Sequence, residues 1–140
     1  MKTFFPILLA LVLLESCNNN DKEINESNYI LIGTDSFRHT VASKVYVDKF
    51  DTSCRLLKLY SVDGILLAKG FYKGKMRNGP QEMYYISNGK LKSSENYKNG
   101  EKDGLQREYF INGKLQKTEK FINGKLVYSE NYDSSRNIIK

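Results

Sequence analysis

The sequence predicts an all-β protein, a curved antiparallel meander of repeated β-hairpins that forms an elongated repeat sheet. Three observations carry this expectation. Asx-Gly pairs recur from residue 63 onward, at Asp63-Gly64, Asn78-Gly79, Asn88-Gly89, Asn99-Gly100, Asp103-Gly104, Asn112-Gly113 and Asn123-Gly124. The segments between them are of strand length and alternate, as in Leu91, Ser93, Glu95 and Tyr97 on one face against Lys90, Lys92, Ser94 and Asn96 on the other. Apolar residues three and four apart are missing there, and so dense a run of Asx-Gly would break a helix in any case.

Taken in order, the chain opens on a leader. Residues 1–16 begin with one Lys, Lys2, followed by an uncharged apolar run from Phe4 to Leu14, which is about half of the ~20 residues a membrane-spanning helix needs. They are expected to be a signal peptide. The run ends Leu14-Glu15-Ser16-Cys17, which resembles the lipobox of bacterial lipoproteins and implies that Cys17 becomes a lipidated N-terminus. Several acyl chains on one cysteine give stable anchoring at ~0.8 kcal/mol per buried CH₂. The implied location is the cell envelope, on the outer membrane of a Gram-negative bacterium. The other reading of the two cysteines is a secreted protein in which Cys17 pairs with Cys54.

Residues 17–28 hold one apolar side chain after the cysteine, Ile24, too little to offset ordering entropy, and read as a flexible tether. Residues 29–56 contain two strand-like stretches, 29–33 and 44–50, that should begin the same sheet. His39, between them, is expected to be a solvated loop residue. Residues 57–132 are the repeat. Tyr60, Tyr85 and Tyr109 each stand four before Gly64, Gly89 and Gly113, and Leu66, Leu91 and Leu115 each stand two after. Tyr72, Tyr97 and Phe121 stand eight after. Each Asx-Gly pair tolerates the positive φ of a type I′ hairpin, so the repeat turns are assigned to Gly64, Gly79, Gly89, Gly100, Gly104, Gly113 and Gly124. The last strand extends the pattern through Leu126, Tyr128, Glu130 and Tyr132, with the repeat aromatics lining one face as a thin core. Residues 133–140 read as a frayed tail.

The units from Gly79-Pro80-Gln81-Glu82-Met83-Tyr84-Tyr85 to Asn88-Gly89-Lys90-Leu91, and from Gly104-Leu105-Gln106 to Asn112-Gly113-Lys114-Leu115, resemble the bacterial variant of the MORN repeat over roughly residues 57–132. The chain departs from that pattern in having Asn78 and Asp103 before the glycine, and Gln81 and Gln106 two after it, where an aromatic is usual. The resemblance implies a repeat-built, non-catalytic interaction or membrane-associated module, with an antitoxin-like binder of a partner toxin as the second reading.

Composition narrows the chemistry. With no Trp, one His and two Cys, the chain lacks what most metal sites, thiol redox pairs and His-based triads are built from, so no enzyme, cofactor or metal is expected. Glu95, Glu119 and Glu130 recur at equivalent repeat positions, which points to structure rather than acid–base work. The net charge is +6, and residues 57–128 carry the positive excess. Lys90, Lys92 and Lys114 are the candidate basic partner surface for an anionic envelope ligand or an acidic protein. The alternative is that the lysines solvate an edge-rich sheet and keep it from pairing with other chains. Nucleic acid is not an expected partner of an exported, anchored protein.

Overall fold

The computed structural model describes residues 25–37, 41–135 and 137–139. The leader, Cys17 and His39 lie outside the described residues. A 3₁₀ turn at Glu26–Asn28 precedes β1 (Tyr29–Phe37), β2 (Val41–Asp48), β3 (Cys54–Ser61), β4 (Leu66–Lys73), β5 (Met76–Tyr84) and β6 (Leu91–Lys98). They are followed by β7 (Glu101–Lys102), β8 (Gly104–Tyr109), β9 (Leu115–Ile122), β10 (Lys125–Tyr132) and β11 (Ile138–Ile139). All eleven form one antiparallel sheet in sequence order, with β7 pairing beside β8 on β6. This is the expected all-β meander, and the N-terminal strands belong to it.

Turns of two kinds alternate between the two ends of the sheet. At one end the strands are joined tightly. Asn99 and Gly100, at φ 50 and 91, and Asn123 and Gly124, at φ 48 and 75, are the two-residue turns with both residues at positive φ that type I′ requires. Gly74, at φ 59, begins the corresponding turn between Lys73 and Met76, without an Asx before it. A scan for Asx-Gly therefore overlooks it. At the other end the turns are wider: the N–H of Gly64 donates to the Ser61 carbonyl at 3.0 Å and that of Gly113 to the Phe110 carbonyl at 2.8 Å, while Gly89 reaches the Tyr85 carbonyl at 2.8 Å. The glycine ends these turns in the left-handed region, so Gly64, Gly89 and Gly113 are turn residues but not of type I′.

Gly79 and Gly104 are not hairpin turns. Both lie inside the sheet at positive φ, 109 and 86, where extra residues bulge out of register. Gly70 pairs with Gln81 and Tyr72 with Arg77, so Phe71 alone faces Asn78, Gly79 and Pro80. The next unit repeats the feature: Ser94 pairs with Arg107 and Tyr97 with Lys102, so residues 95–96 face residues 103–106. Two extra residues preserve the alternation of side chains. In the last unit only one is inserted, because Leu126 pairs with Phe121 but Tyr128 pairs with Lys120. That single-residue slip turns Tyr128, Glu130 and Tyr132 to the face opposite Phe121, so Tyr132 does not continue the aromatic row.

The core is small and is not an aromatic layer. Among the described residues the buried apolar ones are Cys54, Leu56, Phe71 and Tyr97, so of the repeat aromatics only Tyr97 is buried, while Tyr60, Tyr72, Tyr85, Tyr109, Phe121 and Tyr132 are half-buried. Leu56 stands opposite Phe71, against whose ring Tyr29 packs edge-on at 5.6 Å. Cys54 is 1% exposed. Two segments expected to be loose are ordered. Glu26 is held on the sheet by Lys58 at 2.5 Å and Lys69 at 3.1 Å, which removes the last turn of the tether. In the tail, Asp133 accepts from the N–H groups of Ser135 and Asn137, forming a turn that returns Ile138 and Ile139 to β10.

Candidate functional site

On the face that carries Tyr72, the repeat aromatics do not touch one another; a cation stands between each pair. Tyr72 on β4 lies opposite Arg77 on β5. The Arg77 guanidinium sits 4.8 Å from the Tyr97 ring centroid and donates to the Tyr97 hydroxyl at 2.8 Å. Tyr97 in turn lies opposite Lys102, whose Nζ is 5.4 Å from the Phe121 centroid. Phe121 lies opposite Leu126, where the ladder ends without a charge. Cation–ring contacts are worth ~0.5–1 kcal/mol each at exposed sites, so the ladder is a modest but repeated tie between strands.

Glu95 completes the middle rung. It accepts from the Tyr97 hydroxyl at 2.9 Å and from Lys102 Nζ at 2.8 Å. Burial pushes its carboxyl up, but these hydrogen bonds and the charges of Lys102 and Arg77 outweigh burial and hold it below the ordinary range. Burial likewise pushes Lys102 down, and Glu95 more than compensates, leaving the ammonium above its usual value. One unit on, Glu119 takes Lys117 at 2.6 Å. Glu130, on the other face, accepts from the hydroxyls of Tyr128, at 2.5 Å, and Tyr132. All three repeat carboxylates are held by neighbours within the sheet. Beside the ladder, Leu57, Gly70, Tyr72, Arg77, Gln81 and Glu95 line a shallow groove of about 190 Å³.

The bulges bind each unit to the next. Gln81 Nε2 donates to the Phe71 carbonyl at 2.7 Å, and Gln106, 4% exposed, both accepts from the Asn96 N–H at 2.9 Å and donates to the Asn96 carbonyl at 3.0 Å. These side chains stand in for the ladder bonds that the extra residues displace. Asn78 accepts from the Asn99 N–H at 3.0 Å, and Asp103 from the Asn123 N–H at 3.1 Å. The Arg77 and Lys102 carbonyls accept from Gly100 and Gly124, both at 2.9 Å. Each bulge thereby clamps the following tight turn. At the wide end, the Tyr85 hydroxyl reaches the Tyr109 carbonyl at 2.8 Å and Asn88 the Ile111 carbonyl at 2.9 Å.

Lys90, Lys92 and Lys114 are exposed as expected, and none of them joins an ion pair among the described residues. They are not three neighbours on one strand face. Lys90 and Lys114 sit in wide turns whose Asn88 and Asn112 side chains accept their N–H groups, and only Lys92 is on a strand, its Nζ 5.8 Å from the Tyr85 ring. Arg77 and Lys102 escape a reading by aromatics and turns, although their separation of one repeat was available. No set of three His, Cys, Asp or Glu side chains is placed to hold a metal ion among the described residues, and no described helix is long and apolar enough to cross a membrane.

No family model matches the chain, and no curated protein does. Among solved structures it is similar to "Crystal Structure of TarM", at 16% identity and a TM-score of 0.38, and to a mutant of S. aureus TarM in complex with Fondaparinux, alpha-GlcNAc-glycerol and UDP, at 17% and 0.39. Each match covers 71% of this chain and spans about a fifth of the other, 21%. Likeness at that level carries no argument about function.

Proposed function

We propose that this chain is a lipid-anchored protein of the cell envelope, built on MORN-variant hairpin repeats, that acts as a non-catalytic interaction module. The observation that supports it most is the wide-turn end of the sheet. There Lys90, Lys92 and Lys114 stand exposed and outside the ion pairs, beside the half-buried Tyr85 and Tyr109. The carboxylates that would otherwise suggest acid–base chemistry are taken up by the sheet. Basic groups interleaved with amphipathic rings suit an anionic partner, an envelope glycan or an acidic protein.

The test is to reverse the three lysines together, as Lys90→Glu, Lys92→Glu and Lys114→Glu, and to compare pull-downs from envelope extract with those of the native chain. Circular dichroism checks that the reversed form keeps its sheet. Loss of specific partners, with native binding that weakens as salt screens contacts beyond ~8–10 Å, is the expected result. Recovery of the same partners by both forms would assign the lysines to solvation and remove the surface.

A further inference from the structure

Following the strands shows which end of the sheet the anchor leaves from. Tyr29, at the start of β1, pairs with Asp48 at the end of β2, so the N-terminal segment emerges beside the β2–β3 turn. That turn belongs to the tight-turn end: the N–H of Gly74 donates to the Ser53 carbonyl at 2.8 Å, and the turns at Gly100 and Gly124 follow in line through the bulge clamps. The wide turns stand a strand away, ~26 Å for eight residues at ~3.3 Å each.

The same end carries Phe50, which at 83% exposure is the most exposed of the large apolar side chains described. Its turn is firmly built. Asp48 accepts from the N–H groups of Phe50 at 2.8 Å and Asp51 at 3.1 Å, Asp51 holds Ser53 and Lys73, and the Lys49 N–H donates to the Asn28 carbonyl at 2.9 Å. Along the row of turns Met76 and Ile122 are each 50% exposed. Lys49, Lys75, Lys98 and Lys125 are exposed there and join no ion pair among the described residues. Asp48, Asp51 and Asp103 direct carboxylate oxygens at backbone N–H groups, leaving Glu101 as the exposed acid of the row.

We infer that the tight-turn end docks on the bilayer, with Phe50 entering the headgroup–acyl boundary and the lysines meeting anionic headgroups. The inference rests on the lipid anchor at Cys17. Eight residues, 17–24, separate the anchor from Asn25, a span of at most ~28 Å at ~3.5 Å each, so the tight-turn end stays within reach of the lipid surface. A rigid turn with a large apolar side chain, ringed by cations, suits that interface, where Lys side chains are drawn to an anionic surface. The wide-turn end, with Lys90 and Lys114, then points away from the membrane toward partners.

The chain has no Trp, so a single indole reports cleanly. The acylated full chain carrying Phe50→Trp is placed on vesicles of phosphatidylcholine and phosphatidylglycerol whose acyl chains are brominated near the carbonyl. The docked end should be quenched roughly two-fold, as an indole ~5–10 Å into the headgroup–acyl boundary would be. Val62→Trp and Ile111→Trp, in the wide turns, should keep their emission. Substituting Lys75→Glu, Lys98→Glu and Lys125→Glu should relieve the quenching at Phe50→Trp. Retention on the vesicles without quenching overturns the docking and leaves the anchor standing, as does equal quenching at both ends. Loss of the chain from the vesicles altogether overturns the anchor and the docking with it.

Discussion

Gln106 shows how a single polar side chain sustains the sheet. It is buried, and through its amide it satisfies both backbone groups of Asn96 opposite the bulge. Gln106→Ala leaves those groups without their protein partner, so the denaturation midpoint should fall by the equivalent of ~1–3 kcal/mol, whereas exposed Gln116→Ala should change nothing measurable. At Gly89 and Gly113 the cost is purely one of backbone. An added Cβ meets nothing within 4 Å at Gly89 and only Lys90 Cδ at 3.7 Å at Gly113, but φ is +67 and +89. Alanine at either should cost ~1–2 kcal/mol by the same measurement.

Glu95 and Lys102 set a pH window. The Glu95 carboxyl lies below its ordinary 4.5, so its contribution is present above that value and is lost as pH falls through its lowered folded value. Lys102 lies above its ordinary 10.5, so its share is present below that value and is lost as pH rises through the raised one. Both side chains are 33% exposed, and solvent screening keeps the pair to ~1 kcal/mol or less. Glu95→Gln should therefore destabilise modestly at neutral pH, and the difference from the native chain should vanish in acid. A constant difference across the titration would remove the assignment.

At the scale of elements, each unit is tied to the next through a bulge, a tight turn and a wide turn. Nearest-neighbour ties of this kind make stability a sum over units. Removing residues 79–103 joins Asn78 to Gly104 and restores an Asn-Gly pair with Gln two residues after the glycine, Leu105 replacing Pro80 between them. The shortened chain should retain its β circular dichroism with a lower unfolding midpoint; collapse to a disordered spectrum would show that the units are not interchangeable. The regular spacing of Tyr85, Gly89, Leu91 and Tyr97 made the hairpins legible. It did not separate turns from bulges, because Asn78-Gly79 and Asn99-Gly100 are the same dipeptide, and only pairing with the neighbouring strand distinguishes them. Nor did it place Tyr128 and Tyr132, since one inserted residue at Val127 reverses the face without changing the pattern before or after it.

For the whole molecule, the anchor proposal turns on one sulfur. The sequence holds two cysteines, Cys17 and Cys54, and a thioether to lipid and a disulfide between the two cannot share the Cys17 sulfur. Intact mass of the chain recovered from cells decides between them. The expected result is the mass of the chain from residue 17 onward plus its acyl groups, and Cys17→Ala should leave the membrane fraction. A lipid-free mass, with cysteines that alkylate only after reduction, would replace the anchor with the bridge.

By itself the sequence determined the fold class and the succession of hairpins, because tight turns and alternating strands are local choices made by neighbouring residues. Tertiary structure decided what those residues face. It interleaved Arg77 and Lys102 with Tyr72, Tyr97 and Phe121, turned Gly79 and Gly104 from hairpins into bulges, folded residues 26–28 and 138–139 back onto the sheet, and set Phe50 at the end from which the N-terminal segment leaves. Each of these depends on the register between strands. Register is fixed by hydrogen bonds between residues many positions apart, and one inserted residue changes it everywhere beyond.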